Sequence, residues 1–422
     1  MNTIKAIWLC NVMLPDAAKA LGEPYRSVGG WMTGALHAVI NKEEHISITL
    51  VCPYKEDKFC TSKDFNLYTF KRSKKDVEYD ASLKGRFAKI IKDCKPDVIH
   101  MWGSEFPHTL SMIEAAEECG LSHRTVIHIQ GLMHIYEKHY YGDLPLWVRY
   151  GMSLRDMIKR SNVKKAKKEA YERGVIEKEA LRRTYAVAGR TQWDEACSYL
   201  INNNVKYFHC REVLRDCFYE GQWNYSACNK HQIFFSQPIG YVKAFYQLLK
   251  VFPEILKEFP NAKIVTTGNI MPKNLKQKMM QSLFHRYLYK IIKRNNLVDH
   301  IEFRGNLTDV EMKDAYLKSN VFVSTSTIEN SPNSLGEAML LGMPCVTSDV
   351  GGTAQMLINR QEGFVYPFDE DYMLLWYILQ IFKNPKSASE MGLCAKSHAS
   401  ETQSKNGFVS DIKNIYNELI NR

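Results

Sequence analysis

Two glutamates, Glu329 and Glu337, stand eight positions apart in a stretch whose residue types could do chemistry. Glu329 belongs to a polar loop that follows the apolar run 321–323, and Glu337 belongs to the helical pattern 333–341. A short apolar run of this kind is typical of a buried strand, and the glycine and proline in 342–344 end the helix. We therefore predict a strand, a loop and a helix whose N-terminus faces the loop, an arrangement that favours an anion.

The position of the two carboxylates allows two interpretations. Open parallel sheets bind ligands at the carboxyl ends of their strands, so both side chains could face one ligand there. Alternatively, Glu337 only complements the helix N-terminus and Glu329 is solvated. We expect Ser331 or Asn333 to be the N-cap of the helix and Pro332 to lie in its first turn.

The stretch 329–352 resembles the donor-site signature of family 4 glycosyltransferases, which are retaining enzymes on a two-domain scaffold called GT-B. In that signature two glutamates are separated by seven residues. The resemblance extends to the Ala-Met pair 338–339, the Gly-x-Pro stop 342–344 and the Gly-Gly turn 351–352. It is most specific in the second half of the chain and weaker in the first.

The resemblance implies a role for each residue of the stretch. Glu337 would bind the ribose hydroxyls of a nucleotide, and Glu329 would hold donor-sugar hydroxyls near the reacting carbon. The backbone of three residues at the helix start would meet the nucleotide diphosphate: Asn333, Ser334 and Leu335.

Strand-like runs alternate with helical stretches along the whole chain, which predicts α/β architecture with parallel sheets. Together with the resemblance, this indicates two Rossmann-like doubly wound domains facing a central cleft. We predict an acceptor-binding domain over 1–219, a link over 220–231 and a donor-binding domain over 232–406. A final helix over 407–422 would pack back on the first domain.

Four further residues of the second domain are predicted to serve the donor. Lys243 precedes a helix, where a cation and amide donors suit a phosphate. Gln237 stands where the family usually has an arginine, a departure that removes one cation from the diphosphate site. By the resemblance, Gly268 would border the nucleotide and Arg304 would lie near the base.

The first domain contributes weaker candidates. Gly30 belongs to a glycine-containing loop after the first strand, where a backbone can approach a ligand closely. By the resemblance, this loop would face the donor phosphates and the acceptor, so Gly30 is a donor-binding candidate. His128, Gln130 and Arg190 lie at or near predicted strand ends and are candidates for contact with the acceptor. For each of them a structural role is the alternative, and for Arg190 that role is a salt bridge.

The stretch 146–183 is basic and carries apolar residues at helical spacing. Such a segment can lie on an anionic membrane surface. The alternative is a solvated helix on the outside of the first domain.

Composition limits the classes of function. The 422 residues carry a net charge of +10, which suits an anionic partner. The 11 cysteines include no Cys-x-x-Cys pair, which argues against a disulfide framework and for a reducing, cytoplasmic compartment. The Asp-x-Asp pattern at 369–371 is expected to be a helix cap, so we predict no metal and no cofactor.

These observations predict a retaining glycosyltransferase that moves a sugar from a nucleotide-diphosphate sugar, UDP-linked by preference, to a glycan or lipid-linked glycan. The resemblance implies a role in capsule or other surface polysaccharide biosynthesis, with contact to the inner membrane surface. The alternatives are a sugar-nucleotide epimerase on a similar scaffold, and a non-catalytic protein that binds membranes or anions through 146–183. No nucleic-acid motif is visible.

Overall fold

The computed structural model describes residues 3–24, 30–43, 45–72 and 75–421. The chain forms two compact units. Unit 1 comprises residues 1–135, 169–215 and 401–422, and unit 2 comprises residues 136–168 and 216–400. Each unit has its own sheet, which is parallel throughout in unit 2 and parallel except for one edge strand in unit 1.

The strands of the described residues are numbered in chain order. Those of unit 1 are β1 Ile4–Cys10, β2 Ile46–Tyr54, β3 Lys58–Thr61, β4 Asn66–Lys71, β5 Val98–Trp102, β6 Thr125–His128, β7 Ala186–Gly189 and β8 Lys206–His209. Those of unit 2 are β9 Gln232–Phe235, β10 Lys263–Thr266, β11 Ile301–Phe303, β12 Val321–Ser324, β13 Cys345–Asp349 and β14 Phe364–Pro367.

The α-helices of the described residues are numbered in the same way. Up to the middle of the chain they are α1 Pro15–Ala20, α2 Gly30–Lys42, α3 Ala81–Cys94, α4 His108–Glu118, α5 Met133–His139, α6 Leu146–Tyr150, α7 Leu154–Lys159, α8 Val163–Arg183 and α9 Gln192–Tyr199. The remainder are α10 Phe245–Glu258, α11 Leu275–Met279, α12 Leu283–Arg294, α13 Asp309–Leu317, α14 Asn333–Leu340, α15 Asp371–Lys383, α16 Pro385–Thr402 and α17 Lys405–Ile420.

Unit 1 is built on an eight-stranded sheet in the order β3-β4-β2-β1-β5-β6-β7-β8. The strands β1, β5 and β6 are buried along nearly their whole length, as expected for the centre of a parallel sheet covered on both faces. At the edge, β3 runs antiparallel to β4. The sequence analysis did not foresee this pair, because Lys58–Thr61 is short and exposed and shows no apolar alternation.

Helix α17 packs within unit 1 against α2 and β5. Its apolar residues recur at helical spacing and are buried, and its Tyr416 hydroxyl accepts a hydrogen bond from Trp8 Nε1 at 2.7 Å. The same hydroxyl lies 3.0 Å from His100 Nδ1. The last helix of the chain is thereby tied to the central strands β1 and β5 of this unit.

Unit 2 is built on a six-stranded sheet in the order β11-β10-β9-β12-β13-β14, with every pairing parallel. Its core is a cluster of apolar side chains from the sheet and from α10, α12 and α15. The predicted class, α/β with two Rossmann-like doubly wound parts, is confirmed.

One segment differs from the predicted division of the chain. Residues 136–168, which the sequence analysis included in 1–219, belong to unit 2. Leu144, Val148 and Val163 are buried in the core of unit 2 among side chains of α10 and α12. Burial of these three side chains accounts for the different grouping, because no apolar periodicity in the sequence shows which of two cores a segment will join.

Candidate functional site

The loop 325–332 joins β12 to α14, so the predicted strand, loop and helix are present. The N-cap of α14 is Pro332, and no side chain caps the helix. The expectation that Ser331 or Asn333 would cap it is therefore wrong, since Asn333 is already the first helical residue. The backbone N–H groups of Asn333 and Ser334 thus begin a helix without a side-chain acceptor, which is the condition for binding an anion.

Glu329 and Lys243 form an ion pair through Glu329 Oε1 and Lys243 Nζ. The Glu329 side chain is 9% exposed and that of Lys243 is 23% exposed, so the pair is largely withdrawn from water. The Ser326 hydroxyl donates to the same Glu329 oxygen at 2.7 Å. The carboxylate is therefore fixed in orientation by two donors rather than solvated, and the solvated alternative for Glu329 does not hold.

The loop that carries Glu329 is tied to the 3-10 turn Tyr241–Lys243 that carries Lys243. Thr327 N–H donates to Val242 O at 2.7 Å, and the Thr325 hydroxyl donates to Ala244 O at 2.9 Å. Ala244 has φ +47°, in the left-handed region that favours glycine. The backbone adopts this conformation here with an alanine.

The Gly-Gly turn after β13 closes onto the same loop. Gly351 has φ +57°, and a Cβ at this position would lie 1.9 Å from Glu329 O. Gly352 N–H donates to that carbonyl oxygen at 3.1 Å. The turn therefore requires Gly351 for close approach, and its function is to hold the backbone of Glu329.

Glu337 lies in α14 and is 4% exposed. The Tyr316 hydroxyl of α13 donates to Ser334 O at 3.0 Å and lies 3.5 Å from Glu337 Oε2. Tyr316 thus connects the first turn of α14 with the carboxylate one turn further on. A buried carboxylate next to a hydroxyl group suits a ligand that presents hydroxyls.

The strands β9, β10 and β11 are neighbours in the sheet, and the loop after β10 contacts the loops after β9 and β11. The Thr267 hydroxyl donates to Ser236 O. Gly268 and Gly305 exchange backbone hydrogen bonds of 2.7 and 3.1 Å. These contacts place the predicted donor residues Gly268, Gln237 and Arg304 in or beside one set of loops at the carboxyl ends of parallel strands, where α/β sheets bind ligands.

Gln237 and Arg304 are both exposed in this set. Arg304 Nε lies 3.3 Å from Glu302 Oε1, a partly solvated ion pair. No direct contact joins either side chain to the Glu329–Lys243 pair among the contacts of the described residues.

Sequence reasoning missed three side chains of this region. Tyr136 accepts a hydrogen bond from Asn330 N–H at 3.1 Å although it is 194 positions away. Tyr316 and Ser326 were also not foreseen. The contact between Ser326 and Glu329 could have been predicted, because the two residues are three positions apart in one loop. No signal in the sequence points to Tyr136.

The candidates of unit 1 are in a different environment. His128 is 1% exposed, its ring stacks on Trp102 with a 4.6 Å centroid separation, and burial lowers its pKa well below the usual range. Arg190 forms a buried ion pair with Glu212 and donates to Ile129 O at 3.3 Å. The Nε2 of Gln130 is buried without a partner among the described residues. Gly30 is the first residue of α2, and the loop 25–29 before it lies outside the described residues.

The described residues offer neither a cluster of metal ligands nor a membrane-spanning helix. They contain no group of three or more His, Cys, Asp or Glu side chains arranged to hold a metal ion. Within the same residues, no helix combines the length and the apolar character that crossing a bilayer requires. Metal independence stays a prediction.

Residues 225–398 match the family model described as glycosyl transferases group 1. Sucrose-phosphate synthase from Thermosynechococcus elongatus has a TM-score of 0.69 at 13% identity, and the alignment covers 99% of each chain. HepE from Anabaena, solved in complex with UDP and glucose, has a TM-score of 0.65 at 13% identity and covers 97% of this chain and 98% of its own.

Curated relatives are aligned over shorter lengths. The gpi3 subunit of phosphatidylinositol N-acetylglucosaminyltransferase from Schizosaccharomyces pombe is 24% identical over 131 residues, which is 31% of this chain and 26% of the relative. An uncharacterized glycosyltransferase from Methanocaldococcus jannaschii is 25% identical over 189 residues, which is 44% of this chain and 45% of the relative. The chain thus spans less than half the length of these two curated relatives.

Together the comparisons define the class of protein. The likeness to the solved structures shows the GT-B fold. The match of residues 225–398 to the group 1 model, which covers most of unit 2 and includes its site loops, indicates a glycosyltransferase domain in this unit.

Proposed function

We propose that this protein is a retaining glycosyltransferase that moves a sugar from a nucleotide-diphosphate sugar, UDP-linked by preference, to a hydroxyl of a glycan or lipid-linked glycan. One observation carries the proposal. The Glu329–Lys243 ion pair lies at the carboxyl end of β12, in the loop that leads into the uncapped N-terminus of α14. A cation and free helical amides suit a diphosphate, and an oriented carboxylate suits sugar hydroxyls.

The proposed roles follow the contacts. Glu337, buried beside Tyr316, would accept hydrogen bonds from the ribose hydroxyls. Glu329, fixed by Ser326, would accept from hydroxyls of the donor sugar. Asn333 and Ser334 would donate their backbone N–H groups to the diphosphate, and Lys243 would neutralise its charge. Leu335, which was predicted to do the same, instead donates its N–H to Pro332 O at 2.9 Å.

The Ser331 hydroxyl is a further group at the start of α14. It is buried and has no hydrogen-bond partner among the described residues. A buried hydroxyl without a partner loses free energy, and a phosphate oxygen would satisfy it. This supports the same location for the diphosphate.

The chemistry is a substitution at the anomeric carbon. As the bond from that carbon to the diphosphate oxygen breaks, the sugar becomes oxocarbenium-like and the diphosphate leaves with the electron pair. Lys243 and the amides of α14 would stabilise the charge that develops on the leaving group. The acceptor oxygen attacks from the face that the diphosphate leaves, and its proton goes to the departing diphosphate, so the step needs no metal and no separate base.

We propose surface polysaccharide assembly at the cytoplasmic face of a membrane, with unit 1 as the acceptor domain. The structural likeness to HepE from Anabaena, solved in complex with UDP and glucose, supports the donor class, since its TM-score to this chain is 0.65. No contact of the described residues favours the epimerase alternative.

The test is release of nucleotide on addition of acceptor. Purified protein is incubated with UDP-, GDP- and ADP-sugars, with and without lipid-linked glycan extracts, and free nucleotide is measured. Release from a UDP-sugar that requires the acceptor, with the anomeric configuration retained in the product, is the expected result. Conversion of the sugar without any acceptor would instead establish the epimerase.

A further inference from the structure

Seven large apolar side chains are exposed within the short segment 146–158 of unit 2. Their exposed fractions lie between 44% and 68%, and they are Leu146, Trp147, Tyr150, Met152, Leu154, Met157 and Ile158. Single exposed apolar residues are ordinary, but a contiguous group marks an interaction surface. The exposure of these seven side chains therefore indicates a binding surface.

Folding of this segment already uses a different set of side chains. Leu144, Val148 and Val163 are buried in the core of unit 2. The buried Asp156 carboxylate accepts a hydrogen bond from Leu283 N–H at 2.9 Å and from Ser153 N–H at 3.0 Å. The segment is thus anchored from its inner side, and the seven outer side chains are left over from the packing.

The same surface continues onto α11 and α12. The Trp147 ring lies edge-on to Tyr287 at 5.8 Å, and Lys290 Nζ lies 5.8 Å from the centroid of the Trp147 ring. Leu275 and Met279 of α11 are 72% and 53% exposed. We call residues 146–168 and 271–298 together the basic apolar face.

The charge of the basic apolar face is almost entirely of one sign. Its residues include 15 lysines and arginines and one acidic residue, Asp156, which is 1% exposed. The whole chain has a net charge of +10, so the rest of the chain is slightly acidic. The basic excess of this protein is therefore concentrated in these two segments of unit 2.

The boundaries of this surface differ from the basic stretch expected from the sequence. That stretch extended to residue 183, but residues 169–183 carry four acidic and four basic residues and are neutral. Within α8 only the first turns, up to Lys168, belong to the face.

We propose that the basic apolar face docks this protein on a membrane surface that contains anionic lipids. Exposed Leu, Met, Ile and Trp side chains would enter the boundary between headgroups and acyl chains, and the lysines and arginines would meet the lipid phosphates. Apolar burial and electrostatic attraction add in such binding. Membrane docking does not rest on the proposed transfer activity, and it uses none of the residues assigned to the donor.

The chemistry of the face disfavours two other occupants. A nucleic acid would be bound by the charges but has no use for a group of aliphatic side chains. A second copy would bring the same face against itself in a symmetric dimer, placing two strongly positive surfaces in contact. A bilayer of anionic lipid satisfies both the charges and the apolar side chains.

The experiment measures binding of the full chain, without nucleotide or acceptor, to vesicles of phosphatidylcholine with and without phosphatidylglycerol. Sedimentation with the anionic vesicles only, weakened by salt, is the expected result. The variant M157S/I158S should bind at least about tenfold more weakly because it removes two inserted side chains. The variant K159E/K164E should lose about tenfold or more because it reverses two charges.

Matched controls are present in the same unit. Tyr372 and Trp376 of α15 are 65% and 53% exposed, so Y372S/W376S removes as much exposed apolar surface outside the face. The charge control K257E/K386E reverses two exposed lysines elsewhere. Both controls should bind anionic vesicles like the unchanged protein, and circular dichroism should show all four variants folded.

Three outcomes would overturn the proposal. The first is that all four variants bind anionic vesicles equally. The second is that single- or double-stranded nucleic acid competes with the anionic vesicles and M157S/I158S loses this binding equally. The third is that the protein forms a dimer in solution that M157S/I158S dissociates. Because no nucleotide is present, none of these outcomes bears on the donor site, so the two proposals fail separately.

Discussion

The strand ends of the two units use polar side chains in opposite ways. In unit 2, Glu329 and Lys243 pair at the carboxyl end of β12 while Lys243 keeps 23% of its side chain exposed. In unit 1, His100 lies in the middle of β5, Trp102 ends β5 and His128 ends β6, with all three rings buried and stacked at centroid separations of 4.2 to 5.6 Å.

The difference shows what each region is suited to do. A fixed charged pair beside an uncapped helix start is ready to receive an anionic ligand. A stack of neutral rings has no charge to offer and instead ties strands together, with Tyr416 of α17 hydrogen-bonded to Trp8. We therefore expect changes in the first region to alter turnover and ligand binding, and changes in the second to alter stability.

The largest expected effect comes from Glu329. In Glu329→Gln the donor sugar loses its oriented carboxylate, and turnover should fall by about 100-fold or more. Affinity for UDP should change by less than about tenfold, because UDP lacks the sugar. Steady-state rates and calorimetric titration with UDP measure the two quantities. A variant with normal turnover would remove Glu329 from the site.

Acidification should destabilise unit 1 through its buried histidines. Burial lowers the pKa of His100 and of His108 to about 3, and lowers that of His128, from a usual value of 6.5. Between those values the unfolded chain binds more protons, so stability falls as pH drops from 6.5 towards 3. Each group contributes about 1.4 kcal/mol per pH unit.

One carboxyl in the same unit opposes this trend. Burial raises the pKa of Glu105 to about 7, so between pH 4.5 and 7 the folded state binds its proton more strongly. The loss of stability from the three histidines exceeds the gain from the one carboxyl, so the free energy of unfolding should fall on acidification. Urea unfolding from pH 7 to pH 5 should show it, with a smaller slope in His108→Gln. Constant stability over that range would contradict the lowered pKa values of these buried histidines.

Tyr416→Phe separates the two regions directly. It removes the hydroxyl that accepts from Trp8 Nε1 at 2.7 Å and leaves a buried donor without a partner. The free energy of unfolding should fall by about 1–3 kcal/mol. UDP affinity should be unchanged, since unit 2 holds the donor residues. Loss of UDP binding in a folded Tyr416→Phe protein would mean that the donor site depends on unit 1.

The smallest effect is expected at Gln237. Gln237→Arg restores the cation that the family resemblance has at this exposed position. A partly solvated charge pair with the diphosphate should raise affinity for UDP about two- to fivefold. Titration of Gln237→Lys alongside tests whether charge or guanidinium geometry matters. Equal affinity in all three proteins would place Gln237 outside the diphosphate site.

The sequence predicted the local structure around Glu329 and Glu337 in unit 2 better than the surroundings of the candidates in unit 1, for a physical reason. Glu329, Glu337 and the glycines at 351–352 belong to one local strand-loop-helix unit, so their spacing alone constrains their geometry. Tyr136 joins this loop from 194 positions away, and nothing local announces it. The N-cap was wrongly predicted because the start of α14 is decided by the loop's contacts with the turn Tyr241–Lys243, not by capping propensity.

Membership of the segment 136–168 was unpredictable for a related reason. Its buried residues Leu144, Val148 and Val163 could pack against the core of either unit. They pack in the core of unit 2, and only the tertiary structure shows this. Helical spacing of Leu154, Met157 and Ile158 suggested one amphipathic helix over a longer stretch. In the structure these three side chains are 49% to 61% exposed on the short helix α7.

Binding of UDP to the Glu337→Gln variant tests the central claim most directly. For the unchanged protein, UDP at 100 times its dissociation constant should add about 2.7 kcal/mol to the free energy of unfolding. Glu337→Gln should lose most of that gain, while Glu390→Gln on exposed α16 should keep it. If the unchanged protein gains nothing from UDP, or if Glu337→Gln gains as much, the loop between β12 and α14 is not the nucleotide site.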